Sequence, residues 1–265
     1  MKKVIPVTFI ICMLASTVFA QNSSLNNYKK FDYVRVDEGS MDQFLKLAEQ
    51  ELKPRFQELT DSDVLSSWSL YYVRFPGGEK SNYHLISIAT ATNIDTLLNT
   101  FSDLRLPSYI PANTSEKIQK LASTSTLVKS ELWKVENALP INGNADLPST
   151  YMTMDYMEVA PGKNPDYLML EDEVAKPIHQ ERMDKNAMAG WHVYSLISPS
   201  GSSYGYNFST ANFFNQASDI EFGFTNEVIN QSMGKNANVS ELFNTIYTTR
   251  DRVKVELWKL YLHVN

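Results

Sequence analysis

The chain has 265 residues, with 24 basic and 30 acidic side chains and a formal net charge of −6. This surplus of acidic groups argues against a nucleic acid partner, because phosphates attract a basic surface. It argues equally against docking on an anionic membrane. A chain of this length can bury a sufficient core without disulfide bonds.

The first twenty residues have the pattern of an export signal. Lys2 and Lys3 precede an apolar run at 4–15, and VFA at 18–20 offers acceptable residues at the −3 and −1 positions of a cleavage site. The run is shorter than the roughly 20 residues that span a bilayer, so cleavage is favoured over the alternative, an uncleaved anchor. We expect cleavage after Ala20 and a secreted or periplasmic protein without membrane insertion.

Cleavage would also remove the chain's one cysteine, Cys12, and two lysines. The mature chain would then carry 22 basic and 30 acidic residues, a charge of −8. Without a thiol, cysteine nucleophiles and cysteine-based metal sites are excluded. The four histidines (His84, His179, His192 and His263) lack the spacing of a metal motif. We therefore predict no metal site.

The chain repeats itself, which is the strongest pattern in the sequence. Shifted by 123 positions, residues 31–83 align with 154–206 without a gap. The matches include KPxxQE at 53–58 and 176–181, Trp68 with Trp191, Tyr71 with Tyr194, and Tyr83 with Tyr206. Near the end of each copy the shift is 125, and VKSELWK at 128–134 meets VKVELWK at 253–259. The sequence predicts a duplication, with repeat 1 at 28–137, a linker at 138–150 and repeat 2 at 151–265.

Each repeat has the predicted element order β-α-β-β-α-β. In repeat 1 the strands are predicted at 31–36, 67–75, 83–89 and 128–134, and the helices at 42–59, 94–104 and 115–122. Pro54 should kink the first helix, and Gln57 and Glu58 are expected to bond backbone groups that the kink frees. This order is that of the ferredoxin-like unit, whose sheet has one bare face. Two such units can close into a barrel with the helices outside, which predicts strands buried on both faces.

Element order, duplication and the repeated tryptophans resemble the dimeric α+β barrel superfamily, here in a fused two-copy form. The resemblance covers nearly the whole chain after residue 20, and no signature motif carries it. Members of that superfamily include small monooxygenases, haem-degrading enzymes, dye peroxidases, lactone isomerases and stress-response or NIPSNAP-like proteins. The resemblance implies an α+β fold in which two tandem ferredoxin-like repeats form an intramolecular pseudo-dimer. A monomer is expected, because the fusion already satisfies one interface.

Two histidines of repeat 2 are candidate site residues. The twin of His179 is Phe56, a predicted core position, so a polar group has entered the core. By the resemblance His179 is a candidate haem or substrate ligand; the alternative is a satisfied, partly buried histidine. His192 and Tyr194 share one strand face, opposite Trp191. If that face lines the barrel interior, they form a candidate catalytic acid/base pair, with ordinary packing as the alternative.

The remaining candidates are weighed against structural roles. Lys129, Glu131 and Trp133 share one strand face, as do their twins, and either line a ligand cavity or form an ion pair within the sheet. The predicted ligand-binding set is His179, Glu181, Trp191, Tyr206, Glu256 and Trp258. The segment GSSYG at 201–205 matches a hydrolase motif, but it falls in a hairpin, so a turn is favoured. The repeated KPxxQE is expected to be structural, with a place at the rim of a pocket as the alternative.

Fold alone leaves the function open. The first hypothesis is an exported protein with a non-catalytic or small-molecule-binding role and no cofactor, since no phosphate loop, nucleophile set or cofactor fingerprint is present. The alternative is a small-molecule enzyme of the barrel type, a cofactor-free or haem-linked oxygenase or an isomerase, using a pocket in repeat 2. A carbohydrate-binding module is a third hypothesis, but buried strand aromatics explain the aromatic content more simply.

Overall fold

The computed structural model describes residues 27–75, 82–102, 109–111, 115–141, 149–234 and 238–265. The predicted signal peptide at 1–20, the first predicted hairpin turn at 76–78 and residues 142–148 of the predicted linker lie outside the described residues.

Eight antiparallel strands form a closed barrel in the part of the chain that the structure describes. They are β1 Tyr28–Val36, β2 Ser67–Arg74, β3 Leu85–Ala91, β4 Ser125–Leu139, β5 Tyr151–Val159, β6 Gly190–Ser198, β7 Phe208–Phe214 and β8 Arg250–Val264. Their order around the barrel is β1-β3-β2-β8-β5-β7-β6-β4, and β4 closes on β1. Each half contributes four strands in the ferredoxin-like order, so the predicted fold class is confirmed.

The two long strands that carry the repeated heptad join the halves. β4 pairs with β1 of its own half and with β6 of the other half. β8 likewise pairs with β5 of its own half and with β2 of the other. Each heptad strand therefore joins the two half-sheets by pairing with one strand of each, and this pairing closes the barrel.

The helices lie outside the barrel. They are α1 Met41–Leu47, α2 Lys53–Asp61, α3 Ile94–Thr100, α4 Glu116–Ser123, α5 Asn164–Leu170, α6 Lys176–Asp184, α7 Asn226–Met233 and α8 Val239–Thr249, with a 3₁₀ segment at Ala217–Glu221. The π-helical segments Ala48–Leu52 and Glu171–Ala175 join α1 to α2 and α5 to α6. Pro54 and Pro177 are the second residues of α2 and α6, so one lysine separates each from the π-helical segment before it. A proline donates no N–H and crowds the carbonyl four residues earlier, so a widened turn lets the helix continue.

The glutamine and glutamate of the repeated KPxxQE bond to side chains of their own helix. Gln57 Nε2 donates to Asp61 at 2.8 Å, and Gln180 Nε2 donates to Asp184 at 2.9 Å. Glu58 accepts from Arg55 at 2.7 Å. These bonds replace the expected bonds to freed backbone groups, because the π-helical segments absorb the proline without opening the helix.

The barrel interior is filled with side chains of both halves. The large ones are Phe31, Tyr33, Tyr71, Trp133, Tyr156, Tyr194, Phe213 and Trp258. β3 and β7 are buried along their whole length, which confirms the prediction of strands covered on both faces. The outer face of repeat 1 packs tightly on its helices, where Phe56 and Trp68 stack with ring centroids 4.2 Å apart.

Candidate functional site

A cavity of about 350 Å³ lies in repeat 2, between the outer face of the sheet and the helices. Its floor comes from β5, β7 and β8, and one wall is the helical stretch at 170–182. The loop around Phe224 and the apolar face of α8 cover it. This volume is within the range of small-molecule sites. We call this cavity the repeat 2 pocket.

The helix above the repeat 2 pocket packs differently from its twin. In repeat 1, α4 buries Ile118 and Leu121. Their twins on α8, Phe243 and Ile246, line the pocket, and α8 has no buried residue. The same element therefore covers a packed core in one repeat and a cavity in the other.

Five core positions of repeat 1 are polar in the repeat 2 pocket. The matched pairs are Ala48 with Glu171, Phe56 with His179, Leu59 with Arg182, Ala89 with Asn212, and Leu127 with Arg252. Glu171, His179 and Arg182 are only 4–5% exposed. Burying polar and charged groups costs free energy unless they are fully paired. The replacement of a packed core by such groups therefore points to a use other than stability.

His179 is a neutral histidine in the pocket wall. Its ring stacks on Trp191 at 5.3 Å, and its Nδ1 lies 3.2 Å from Nη1 of Arg182. Burial and the neighbouring Arg182 hold the pKa of His179 well below its usual range. A guanidinium can only donate, so Nδ1 accepts and the single ring proton lies on Nε2. The free nitrogen of His179 is therefore a hydrogen-bond donor.

The arginines of the pocket are incompletely paired. Burial lowers the pKa of Arg182 to about 10, so this side chain stays protonated at neutral pH. The Nε atoms of Arg182 and Arg250 are buried, and neither has a hydrogen-bond partner in the part of the chain that the structure describes. Arg252, which is mostly exposed, lies 3.8 Å from Asp155.

The two carboxyl groups of the pocket, Asp155 and Glu171, have raised pKa values. Burial raises the pKa of Asp155 to about 6, although Arg252 and Arg250 oppose the shift. Burial also raises the pKa of Glu171 to about 7. At neutral pH three arginines therefore face two carboxyl groups of which Glu171 is only partly ionised. The pocket carries a net positive charge.

The predicted ligand-binding residues are divided between three places. His179 lines the pocket, and its ring stacks on Trp191, whose buried Nε1 has no hydrogen-bond partner among the described residues; the twin Trp68 donates to Ser87 at 2.8 Å. Glu181 lies 3.4 Å from Lys185 and is not among the pocket residues. The other three, Tyr206, Glu256 and Trp258, lie in the barrel interior. Their ligand-binding role stays a prediction.

A duplicated cluster of glutamates and tyrosines lies in the barrel interior; we call it the tyrosine–glutamate cluster. Glu131, 1% exposed, accepts bonds from Tyr33 at 2.7 Å, Tyr204 at 2.6 Å, Trp133 at 3.1 Å, Lys129 at 2.6 Å, and from Tyr206. Glu256 accepts from Tyr83, from Lys254 at 3.0 Å and from Trp258 at 3.0 Å. The hydroxyls of the twins Tyr33 and Tyr156 are 2.9 Å apart. Both Glu131 oxygens are occupied, which favours the ion-pair interpretation over a ligand cavity.

His192 and Tyr194 share the interior face, as strand alternation predicts. Nδ1 of His192 lies 3.0 Å from the Tyr194 hydroxyl. Burial and the nearby Lys29 lower the pKa of His192 to about 3. The imidazole is therefore a weak base, and the catalytic role of this pair stays a prediction.

Glu171, Arg182, Arg250 and Arg252 are pocket residues that the sequence reasoning missed. The comparison that singled out His179 against Phe56 also pairs Leu59 with Arg182 and Leu127 with Arg252. Applied to every core position, it would have found Glu171, Arg182 and Arg252, but not Arg250, whose twin Ser125 is not a core residue.

Other motifs give no further site. The GSSYG segment connects β6 to β7, so it lacks the strand-to-helix turn of a nucleophile elbow. Among the described residues, no group of three His, Cys, Asp or Glu side chains is placed to hold a metal ion. Within the same residues, no helix is long and apolar enough to cross a membrane.

No protein-family model and no curated protein sequence match the chain. Several solved structures are similar to it. A monooxygenase candidate from Fusobacterium nucleatum has a TM-score of 0.54 at 7% identity, covering 90% of this chain and 94% of that one. A chlorite dismutase from Candidatus Nitrospira defluvii has a TM-score of 0.53 at 11% identity, covering 91% of this chain and 93% of that one. A haem-binding protein from Thermus thermophilus has a TM-score of 0.51 at 12% identity, covering 89% of this chain and 91% of that one.

The chain has the dimeric α+β barrel fold. The likeness extends over both repeats, so the α+β barrel is built within one chain.

Haem is the group that one of these neighbours binds. An iron-ligating histidine offers an unprotonated nitrogen while its other nitrogen donates to an acceptor. In this α+β barrel His179 has the reverse arrangement, because Nδ1 accepts from Arg182 and the proton lies on Nε2. As arranged, His179 does not fit an axial iron ligand. The repeat 2 pocket fits a hydrogen-bonding ligand better.

Proposed function

We propose that the protein is an exported small-molecule-binding protein whose ligand occupies the repeat 2 pocket. The observation that supports this most is the contrast between the twins. Repeat 1 fills the same layer with mostly apolar side chains, whereas repeat 2 leaves a cavity there and lines it with buried polar groups. Export rests on the predicted signal peptide.

The lining of the pocket has the composition of a ligand site. Leu170, Val174, Ile178, Phe224 and Phe243 supply apolar wall, and a few convergent polar groups lie on the floor. Apolar walls supply affinity and a few placed polar groups supply orientation. A structural layer would need neither the cavity nor the incompletely paired Arg182.

A haem-linked or oxygenase-type enzyme in the same pocket is the second candidate. It is supported by the fold neighbours and by the buried, neutral His179. It would require Arg182 to release Nδ1 of His179. Haemin titration separates the two candidates: a shifted Soret band that is lost in His179→Ala would establish haem binding in place of the first proposal.

Filling the pocket should weaken binding. Ala175 lines the pocket, and its twin Leu52 is a buried core residue of repeat 1. In Ala175→Leu, fragments that bind the wild-type chain should lose about tenfold in affinity, since overpacking by about 1.4 kcal/mol corresponds to that factor. Ligand-observed NMR with a fragment library measures this.

The matched control is Ala160→Leu, which adds the same side chain at an exposed position. It should bind the fragments like the wild-type chain. Equal fragment affinity in Ala175→Leu and wild type, or no fragment binding at all, would contradict the proposed function.

A further inference from the structure

We infer that the ligand of the repeat 2 pocket is an organic carboxylate, with an apolar body under α8 and its anionic group held by Arg182 and Arg250. This inference rests on the proposed function and adds the chemical class of the ligand.

The charge of Arg182 is only partly matched within the protein. Its side chain is 5% exposed, and its Nη1 bonds to the neutral His179 ring. The nearby Asp155 opposes the lowering of the Arg182 pKa, but within the described residues the pocket's one ion pair shorter than 4 Å joins Asp155 to Arg252. A buried guanidinium without a close carboxylate is costly. An anionic ligand would supply the missing partner.

Arg182 and Arg250 both line the pocket and carry unsatisfied hydrogen-bonding capacity. Their buried Nε atoms have no hydrogen-bond partner among the described residues. A planar carboxylate matches the fork of a guanidinium and accepts two bonds from it. A carboxylate in the pocket would therefore balance the charge of these two guanidinium groups.

Another part of the pocket lining is apolar. Leu242, Phe243 and Ile246 of α8 and Phe224 face the pocket. The Arg182 guanidinium lies 5.6 Å from the Phe224 ring. An inorganic anion would leave this surface without contacts, whereas an apolar body covers it. An organic acid satisfies both sides of the pocket.

The test is calorimetric titration with matched acids and amides: 4-phenylbutyrate against 4-phenylbutyramide, and octanoate against octanamide, with inorganic phosphate as a third probe. In the wild-type chain we expect each acid to bind at least about tenfold more tightly than its amide, and phosphate to bind more weakly than either acid. Arg182→Leu should remove the preference. Arg35→Leu, an exposed arginine of repeat 1, should keep it.

Amides that bind as tightly as acids, or an acid preference that survives in Arg182→Leu, would overturn the inference. The proposed function would then still stand if Ala175→Leu blocks neutral fragments. Acids that fail to bind while no fragment responds to Ala175→Leu would remove both. A preference for phosphate over the organic acids would also overturn the inference.

The affinity for 4-phenylbutyrate should fall as the pH rises. The groups that face the site are Arg182, Arg250, Arg252, Asp155, Glu171, the neutral His179 and the Tyr167 hydroxyl beside Glu171. With pKa values of about 6 for Asp155 and about 7 for Glu171, both carboxyl groups are largely protonated at pH 5.5 and ionised at pH 8. Each ionisation adds a negative charge beside the bound anion, whose own carboxyl group is ionised across this range.

We expect binding at pH 8 to be several-fold weaker than at pH 5.5, because each added charge repels the anion. Glu171→Gln should remove the part of the decline that is centred near pH 7. Calorimetry at the two pH values measures it, and an affinity that is flat or rises with pH contradicts the inference.

Discussion

Replacing Glu131 with glutamine is expected to lower the free energy of unfolding by about 3 kcal/mol. The glutamate is buried and accepts bonds from five side chains, three of them tyrosine hydroxyls. Glutamine keeps the shape but removes the charge that Lys129 pairs with, and it turns one acceptor into a donor. This loss of stability is at the low end of the range for breaking a buried ion pair, because Lys129 is 26% exposed and can turn towards water. Urea unfolding measures the effect.

The chain supplies its own control for this prediction. Glu256, the twin, accepts bonds from three side chains and is 11% exposed. Glu256→Gln should therefore cost less, about 1–2 kcal/mol. The exposed Glu49→Gln should lie within about 0.5 kcal/mol of wild type. Equal effects at Glu131 and Glu49 would show that the cluster contributes little to stability.

The cluster also bonds one half of the barrel to the other. Tyr206 of repeat 2 donates to Glu131 of repeat 1, and Tyr83 of repeat 1 donates to Glu256 of repeat 2. A double-mutant cycle with Glu131→Gln and Tyr206→Phe should therefore show coupling, which for groups in one hydrogen-bonded network is about 0.5–3 kcal/mol.

The double variant His179→Phe/Arg182→Leu is expected to be more stable than the wild-type chain and unable to bind 4-phenylbutyrate. It copies Phe56 and Leu59, which form the core of repeat 1 at the matched positions. Replacing a buried, incompletely paired charge by apolar side chains of similar volume is often stabilising, by about 1–4 kcal/mol. We expect a gain of about 2 kcal/mol in the ligand-free protein, measured by urea unfolding. A gain in stability with a loss of binding is the pattern of a functional site.

The reverse exchange in repeat 1 is the matched control. Phe56→His/Leu59→Arg brings a charge into a tightly packed and mostly apolar core, and we expect a loss of about 4 kcal/mol or more. If the repeat 2 double variant were instead less stable than wild type, His179 and Arg182 would serve folding. The argument for a ligand site would then fail.

The fold could be predicted because the duplication gave each element twice. The two repeats could be aligned by the match of Trp68 with Trp191 and by the heptads at 128–134 and 253–259. Closure of the barrel then followed from the bare face of each sheet. The widened turn before Pro54 and Pro177 could not be predicted, since a proline in a helix has more than one structural solution.

The site was only partly predictable. His179 could be recognised because the matched residue in repeat 1 is Phe56. Arg182 was not recognised, because arginine is common in helices and is usually exposed. That Arg182 is buried depends on how α8 lies over the sheet, and no local pattern encodes this. The cavity also depends on this packing. Ile118 and Leu121 are buried in repeat 1, whereas their twins Phe243 and Ile246 are not buried and line the cavity.

In the barrel interior, the ligand-binding role of three residues stays a prediction. Tyr206, Glu256 and Trp258 were predicted to bind a ligand, because aromatic and charged side chains on one strand face suit a cavity. In the structure both halves fill that space, and the polar groups bond to each other. Whether a barrel is open depends on the summed volume of side chains from all eight strands, which one strand pattern does not give.

Backbone amide shift mapping on titration with 4-phenylbutyrate tests the central claim most directly. The account predicts shifts concentrated in β5, β7, β8, α8 and residues 170–182, with the twin layer of repeat 1, where Phe56 stacks on Trp68, unchanged. Shifts spread equally over both repeats, or confined to residues of the barrel interior, would contradict it.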